Sequence, residues 1–488
     1  MRIRVETNFN YYEDSPLPNT DILPYPSNRF NEVFNQFYGK RTKKIDDGIK
    51  DLFSSIFCLT TTDLKDNDNY KDLIISPVRR KIDSDEDCLI LKLYSKKEPT
   101  SGKVNYFIQS GLYAGVLYIP SKSGVVEIHI EPRYGQVLLN RMLNVANHFF
   151  MDTGSLTAAK LEDNDNCFKY IIEYLFLHSF EKARLVGLPR QYKQIKNRLK
   201  KYKGTLDVAR HIVQDIPFKG VLSLSYREQV VPQELIDILY TTLRCLHKSA
   251  YNAIKVRQFE QELKPMYSGR RLKICDVQKV QKNKSLQNPL YSPFKKVLKY
   301  AEIILKHYNT AYDERSNESR IKGYLIDVSE LWEIYLENLL RSNFPDWNVV
   351  GQYEIEFYDK TTFFGRKLMP DLILKKAEKV AVFDAKFKTM QGRRQDVDLS
   401  DLRQIHTYAG FFSKENDLVV AGLIYPCEGK HSEKWEADIC SRTLNETKFV
   451  IDGINVEKIQ TGNSANDFEY LVKEEKVFID RIRKYLGN

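Results

Sequence analysis

The stretch LMPDLILKKAEKVAVFDAKFKTM, Leu368–Met390, places two aspartates inside segments that are otherwise built for burial. Leu372, Ile373 and Leu374 form one apolar run, Val380 to Phe383 a second, and Ala377 with Glu378 lies between them. Two such runs joined by a short polar link predict an antiparallel hairpin. A period of two puts Val380, Val382, Asp384 and Lys386 on one face of the second strand and Ala381, Phe383, Ala385 and Phe387 on the other. With the turn at Ala377 and Glu378, residue 375 pairs with 380 and 371 with 384. The two carboxylates then face each other at about 5 Å, where like charges are destabilising unless something neutralises them.

A divalent cation is the economical neutraliser. Two carboxylates and a nearby carbonyl give an oxygen-rich, open site that suits Mg²⁺ or Mn²⁺. Such an ion stabilises charge on a scissile phosphate, and Lys386 beside it counters the developing negative charge, which is the chemistry of phosphodiester hydrolysis. The same residues allow a plainer alternative: Asp371 exposed after Pro370, and Asp384 with Lys386 as a surface ion couple.

The rest of the chain is that of a folded multidomain protein. Its 488 residues exceed one ordinary domain, and 42% hydrophobic, 29% charged and 12% aromatic residues exclude a disordered chain. No apolar run approaches the roughly 18 residues of a membrane helix, and the start MRIRVETNFNYYED lacks the apolar core of a signal peptide, so a cytoplasmic protein without a membrane partner is expected. Seven scattered cysteines without a CxxC pair argue against zinc ribbons and cysteine-held clusters, and the eight histidines show no HxxxH spacing. The net charge of +10 is concentrated in two runs, KQIKNRLKKYKG (Lys193 to Gly204) and KVQKNKSLQNPLYSPFKKVLKYAEIILKH (Lys279 to His307). Such runs suit a polyanion such as nucleic acid, or equally a solvated helix face. Lys193, Lys196, Arg198, Lys200, Lys201, Lys203, Lys295 and Lys296 are the candidate phosphate contacts.

Hydrophobic periodicity divides the chain into four parts and gives a multidomain α+β class. Residues 1–75 form a polar N-terminal module with short helical patterns at FNEVFNQFYGK and GIKDLFSSIF. Residues 76–135 are β-rich, with SKSG as a turn. Residues 136–315 are mostly helical and basic, with apolar stripes in VLLNRMLNVANHFF, CFKYIIEYLFLHSFEKARLVG and VPQELIDILYTTLRCLHKSAYNAI. Residues 316–488 read as an α/β unit with a mixed sheet: helix LIDVSELWEIYLENLLRSNF, strand VVGQYEIEFY, the hairpin, helix LSDLRQIHTYAGFF and strand DLVVAGLIYP. Trp332 with Leu325, Leu331, Ile334 and Leu339 is expected in the core, and His406 off the face that carries Gln404 and Tyr408.

MPDLIL, FDAKFK thirteen positions on from Asp371, and the helix DLRQIHTYAGFF resemble the PD-(D/E)xK nuclease superfamily. The resemblance implies that Asp371, Asp384 and Lys386 are its catalytic triplet and that Gln404 and Tyr408 are its QxxxY element. It also places Glu333, in LWEIYLENLL, as an added acid at a Mg²⁺ or Mn²⁺ site. Within the superfamily the chain is similar to the McrC family, the nuclease subunits of McrBC modification-dependent restriction systems. GVVEIHIEPRYG, RMLNVANHFF, KKYKGTLDV, LWEIYLENLL and GLIYP carry that likeness, over roughly residues 100 to 430. It implies a C-terminal PD-(D/E)xK core that cuts double-stranded DNA, and a separate McrB-like AAA+ GTPase ring on which the β-rich residues 76–135 dock. A separate motor agrees with the absence of a phosphate-binding loop: YGKRT (Tyr38 to Thr42) and EGKHS (Glu428 to Ser432) lack the upstream glycine and a Ser or Thr after the lysine. The chain is expected to be silent without its partner.

Two other functions compete. A RecB-like or Cas4-like exonuclease shares the motifs, although the cysteine-held cluster of many such proteins is not evident. A non-catalytic adaptor that activates an AAA+ ring is the other, and the intact set of Asp371, Asp384 and Lys386 argues against it.

Overall fold

The computed structural model describes residues 2–6, 57–63, 72–76, 88–97, 104–121, 124–146, 167–246, 253–307, 321–355, 367–388, 397–414, 417–427, 436–438, 447–457, 459 and 464–487. The expected helix in FNEVFNQFYGK lies outside them, as does that in GIKDLFSSIF except Phe57, which opens a strand. Two compact units form: Met1–Glu162 together with Asn317–Asn488, and Asp163–Ser316. The class is mixed α/β. Among the described residues no helix is long and apolar enough to cross a membrane.

The first unit begins with β1 (Arg2–Glu6), β2 (Phe57–Thr60), β3 (Asp72–Ser76), β4 (Leu89–Lys97), β5 (Val104–Ser110), β6 (Tyr113–Ser121), β7 (Gly124–Glu131) and helix α1 (Gly135–Ala146). Strands β2, β4 and β5 make an antiparallel sheet. The β6–β7 hairpin closes at the pair Ser121↔Gly124, across the SKSG turn expected from sequence. It sits inside a mixed five-stranded sheet of order β1-β7-β6-β11-β3, in which β11 is Lys322–Asp327.

Strand β11 corrects the expected helix at 325–344. Leu325 and Ile326 belong to a strand flanked on both sides by β6 and β3, and both are fully buried. Asp327 then ends the strand and starts helix α8 (Val328–Asn343), accepting the Glu330 N–H at 3.0 Å as an N-cap. Trp332, Leu331, Ile334 and Leu339 are buried as expected.

The second unit holds α2 (Cys167–Arg184), β8 (Gln191–Leu199), β9 (Thr205–Leu206), α3 (Val208–Asp215), β10 (Leu222–Val230), α4 (Gln233–Leu246), α5 (Ala253–Leu263), α6 (Ile274–Gln281) and α7 (Pro293–His307). Helices dominate, but the basic run after Tyr192 is a strand in a three-stranded sheet of order β8-β10-β9, not the face of a helix. Asp215, fully buried, ties this sheet together by accepting the Ser223 hydroxyl at 2.6 Å and pairing with Arg198.

The C-terminal part of the first unit continues with β12 (Asn348–Gly351), β13 (Leu372–Lys376), β14 (Lys379–Ala385), α9 (Leu399–Phe412), β15 (Asp417–Cys427), β16 (Glu436–Asp438), β17 (Lys448–Asn455) and α10 (Ser464–Tyr485). The six strands order as β12-β13-β14-β15-β17-β16, antiparallel at both ends and parallel across β14, β15 and β17. The parallel step from β14 to β15 is the crossover made by α9, which buries Ile405, Tyr408, Ala409 and Phe412 against Val380 and Val382. On the other face Phe387 meets Trp332 of α8 and Tyr134, at ring-centroid distances of 6.0 and 5.3 Å. Alternation along β14 thus divides the strand as its sequence predicts, and the Asp384 and Lys386 positions fall on the α9 side.

Candidate active site

The hairpin register places the acids. The ladder Leu372↔Phe383 through Lys376↔Lys379 has the register expected from sequence, and Asp371, the residue before it, lies close enough to Asp384 to feel its charge. Ala377 takes φ +53 in the two-residue turn, the left-handed geometry that tight hairpin turns use. Asp384 is fully buried and Asp371 is 8% exposed, so neither is the surface acid of the plainer alternative.

Asp371 Oδ2 accepts the Ala385 N–H at 2.9 Å. Burial, then the charges of Glu333 and Asp384, holds its carboxyl well above the usual range, against the pull of the Ala385 N–H and Lys386. Lys386 Nζ lies 2.7 Å from Asp384 Oδ2. That ion pair is the contact of the Asp384 carboxylate, which accepts no backbone N–H. A fully buried carboxylate with a single ion-pair partner keeps lone pairs that a further cation can use.

Helix α9 supplies the next layer. Asp398 caps its first turn, accepting the Ser400 N–H at 2.9 Å. Gln404 and Tyr408, one turn apart, share the face toward the hairpin. Lys386 Nζ donates to Gln404 Oε1 at 2.9 Å, Gln404 Nε2 donates to the Tyr408 hydroxyl at 2.9 Å, and that hydroxyl donates to the Met369 carbonyl at 3.2 Å. The relay runs from the lysine to the backbone two residues before Asp371. Burial pulls the Lys386 ammonium down, but Asp384, with Asp371 and Asp401, outweighs it, and the net displacement is upward. The Tyr408 hydroxyl is pushed up to about 12, chiefly by burial. Both keep their protons at neutral pH. His406 lies off this face, stacked on Phe449 at 5.4 Å.

Glu333, 4% exposed on α8, interacts electrostatically with Asp371 and accepts from Gln352 Nε2 at 2.9 Å. Among the described residues no three His, Cys, Asp or Glu side chains stand grouped as a preformed metal cage, so the acids adjoin without all converging on one point. Two participants escaped the sequence. Asp401 accepts Lys388 Nζ at 2.7 Å and the Tyr425 hydroxyl at 3.0 Å, and lies 4.0 Å from Lys386. Its spacing of three and seven from Gln404 and Tyr408 was the available signal. Gln352 carried none.

The candidate phosphate contacts all lie in the second unit. Lys193, Lys196 and Arg198 are on β8, Lys200, Lys201 and Lys203 follow it, and Lys295 and Lys296 are on α7. All eight are exposed, but three have partners at hand: Arg198 with Asp215, Lys196 with Asp207 at 3.4 Å, and Lys203 with Glu228 at 3.2 Å.

A family model described as McrBC 5-methylcytosine restriction system component matches residues 108–426. This chain belongs to that McrBC family. The match spans Glu333, the hairpin acids, Lys386 and the α9 relay. A comparison with curated proteins gives no match. Among solved structures, this McrBC-family chain is similar to a chain of the refined half-complex from the tetradecameric assembly of Thermococcus gammatolerans McrB AAA+ hexamers with bound McrC. The TM-score is 0.54 at 16% identity, covering 99% of this chain and 100% of that one. A chain of the cryo-EM structure of the Thermococcus gammatolerans McrBC complex aligns over 70% of this chain and 88% of its own, at 16% identity and a TM-score of 0.33. At this identity the first likeness concerns the fold.

Proposed function

We propose that this McrBC-family chain is the DNA-cutting subunit of its restriction system, a Mg²⁺-dependent endonuclease with a PD-(D/E)xK core that works with an McrB-like AAA+ GTPase ring. The observation that carries this reading is Asp384: a fully buried carboxylate that takes no backbone N–H, close to a second buried acid and paired with a lysine. The donor set fits a hard divalent cation, held by Asp371 and Asp384 with Glu333 adjacent. Such a cation, when bound, would supply Lewis acidity toward the scissile phosphate.

The chain's own residues define the rest. The ammonium of Lys386, its proton held by the surrounding acids, provides positive charge and donated hydrogens and not a base. Gln404 fixes where that ammonium sits, and Tyr408 ties Gln404 to the Met369 carbonyl, so the lysine and the Asp371 segment are set by one relay. Exposed Lys193, Lys200, Lys201, Lys295 and Lys296 suit phosphate contacts that hold DNA without reading its sequence. Lys196, Arg198 and Lys203 would first exchange their carboxylate partners.

The test is cleavage of modified and unmodified plasmid by the chain mixed with its AAA+ partner, GTP and Mg²⁺, comparing wild type with Asp384→Ala. Cutting that needs both proteins and vanishes in the variant while GTP hydrolysis persists is the expected result. A variant that cuts as well as wild type would leave the acids structural and favour an adaptor.

A further inference from the structure

Helix α8 and the end of β12 are joined by three successive rungs. Arg341, Glu337 and Glu333 lie four residues apart, on one stripe of the helix. Arg341 pairs with Glu337 and donates to the Val349 carbonyl at 3.0 Å. Glu337 lies against Gly351, where any Cβ would stand 2.5 Å from its Oε2. Glu333 accepts Gln352 Nε2 at 2.9 Å. Arg341 fixes the strand to the helix, Glu337 takes the space that a side chain at 351 would need, and Glu333 reaches Gln352.

Gln352 does two further things. Its N–H donates to the Asp371 carbonyl at 3.1 Å, which fixes the backbone of the first hairpin acid. Its φ is +47, a left-handed conformation that non-glycine residues adopt rarely and that concentrates at functional sites. Gly351 stands beside it, so glycine was within reach of this turn. A glutamine held in a glycine's conformation, with backbone on one acid and side chain on another, serves something that glycine does not.

We infer that Gln352 is a positioning residue that holds Glu333 and Asp371 in the arrangement that receives the divalent cation. This rests on the nuclease reading above. An amide at that place engages Glu333 Oε2 at 2.9 Å beside Asp371, and outer groups of this kind typically change metal affinity 10- to 100-fold when lost.

The experiment measures Mn²⁺ binding to the full-length chain by titration calorimetry, and the thermal midpoint in EDTA, for wild type, Gln352→Gly, Gln352→Asn and Asp384→Ala. Glycine removes the amide and accepts the backbone; asparagine accepts the backbone and keeps an amide one methylene too short to reach. Both should remain folded within a few degrees of wild type and bind Mn²⁺ about 10- to 100-fold more weakly. Affinity within twofold of wild type in either variant overturns the inference. So does weakened binding that merely follows a collapsed midpoint in both, since Gln352 would then be structural. Asp384→Ala separates the premises: if wild type binds no Mn²⁺, or this variant binds it equally well, the metal reading fails and takes the inference with it.

Discussion

Lys386 Nζ donates to Gln404 Oε1 at 2.9 Å, and this bond sets where the ammonium stands relative to Asp384. Gln404 donates onward to Tyr408, so the two helix residues act in series. Gln404→Ala should lower single-turnover cleavage about 100-fold, the loss that a misplacement of about 1 Å at a reacting centre brings. Tyr408→Phe should cost less, because Gln404 still reaches the lysine. Single-turnover rates with the partner ring and saturating Mg²⁺ check the order; equal losses would mean that the hydroxyl acts on its own.

The Asp384–Lys386 contact makes an unusual stability prediction. Removing one member of a buried ion pair leaves an uncompensated charge and is destabilising by about 3 kcal/mol or more. Lys386→Ala should therefore lose about that much stability in metal-free denaturant unfolding, and Asp384→Asn in the same background should recover most of it. A double variant no more stable than Lys386→Ala alone would show that the carboxylate is compensated elsewhere.

The opening stretch was legible because a two-residue link leaves one register open, and because Asp384 and Lys386 mark one face of a strand that is otherwise apolar and buried on both sides. Gln404 and Tyr408 were legible through helical spacing. Strand β11, the last member of the five-stranded sheet in sequence, was not: its Tyr324, Leu325 and Ile326 are all buried, and no polar residue among them marks a face. Strand β8 was hidden differently. Its half-buried residues Gln191, Ile195 and Leu199 recur every four positions while those between are exposed, which imitates a helix stripe. Gln352 was illegible on principle, since a positive φ at a non-glycine residue is imposed by tertiary contacts and not by local composition.

Asp371 links the site to pH. Its folded-state carboxyl sits well above the usual range, through burial first and the charges of Glu333 and Asp384 next. A carboxyl whose pKa is raised on folding binds its proton more tightly in the folded chain, so stability is greatest below the unfolded value of about 4 and falls as pH rises toward the folded value. Asp371→Asn removes that titration. In EDTA, the midpoint of Asp371→Asn minus that of wild type should grow as pH goes from about 4 to 8, while cleavage is lost. A difference that stays flat across this window would show that Asp371 folds with an ordinary carboxyl.

Glu475 joins segments far apart in sequence behind the site. It accepts Arg141 Nε and Nη2, each at 2.7 Å, and the fully buried Tyr335 hydroxyl at 2.7 Å, so α10 is bound to α1 and to the same α8 that carries Glu333. The Arg141 guanidinium, half sheltered, has its counter-charge in this one bidentate carboxylate, and the Tyr335 hydroxyl has its acceptor there. Tyr335→Phe removes a buried hydrogen bond to a carboxylate and should cost about 1.5 to 3 kcal/mol. Glu475→Ala strands both donors and should cost more, about 3 to 5 kcal/mol. Because α8 positions Glu333 through its own contacts with β12, the Tyr335→Phe chain, once folded, should retain wild-type Mn²⁺ affinity. Denaturant unfolding combined with Mn²⁺ titration reads both quantities, and a Tyr335→Phe chain that loses Mn²⁺ affinity along with stability would show that the α10 anchor, and not the β12 clamp, sets where Glu333 stands.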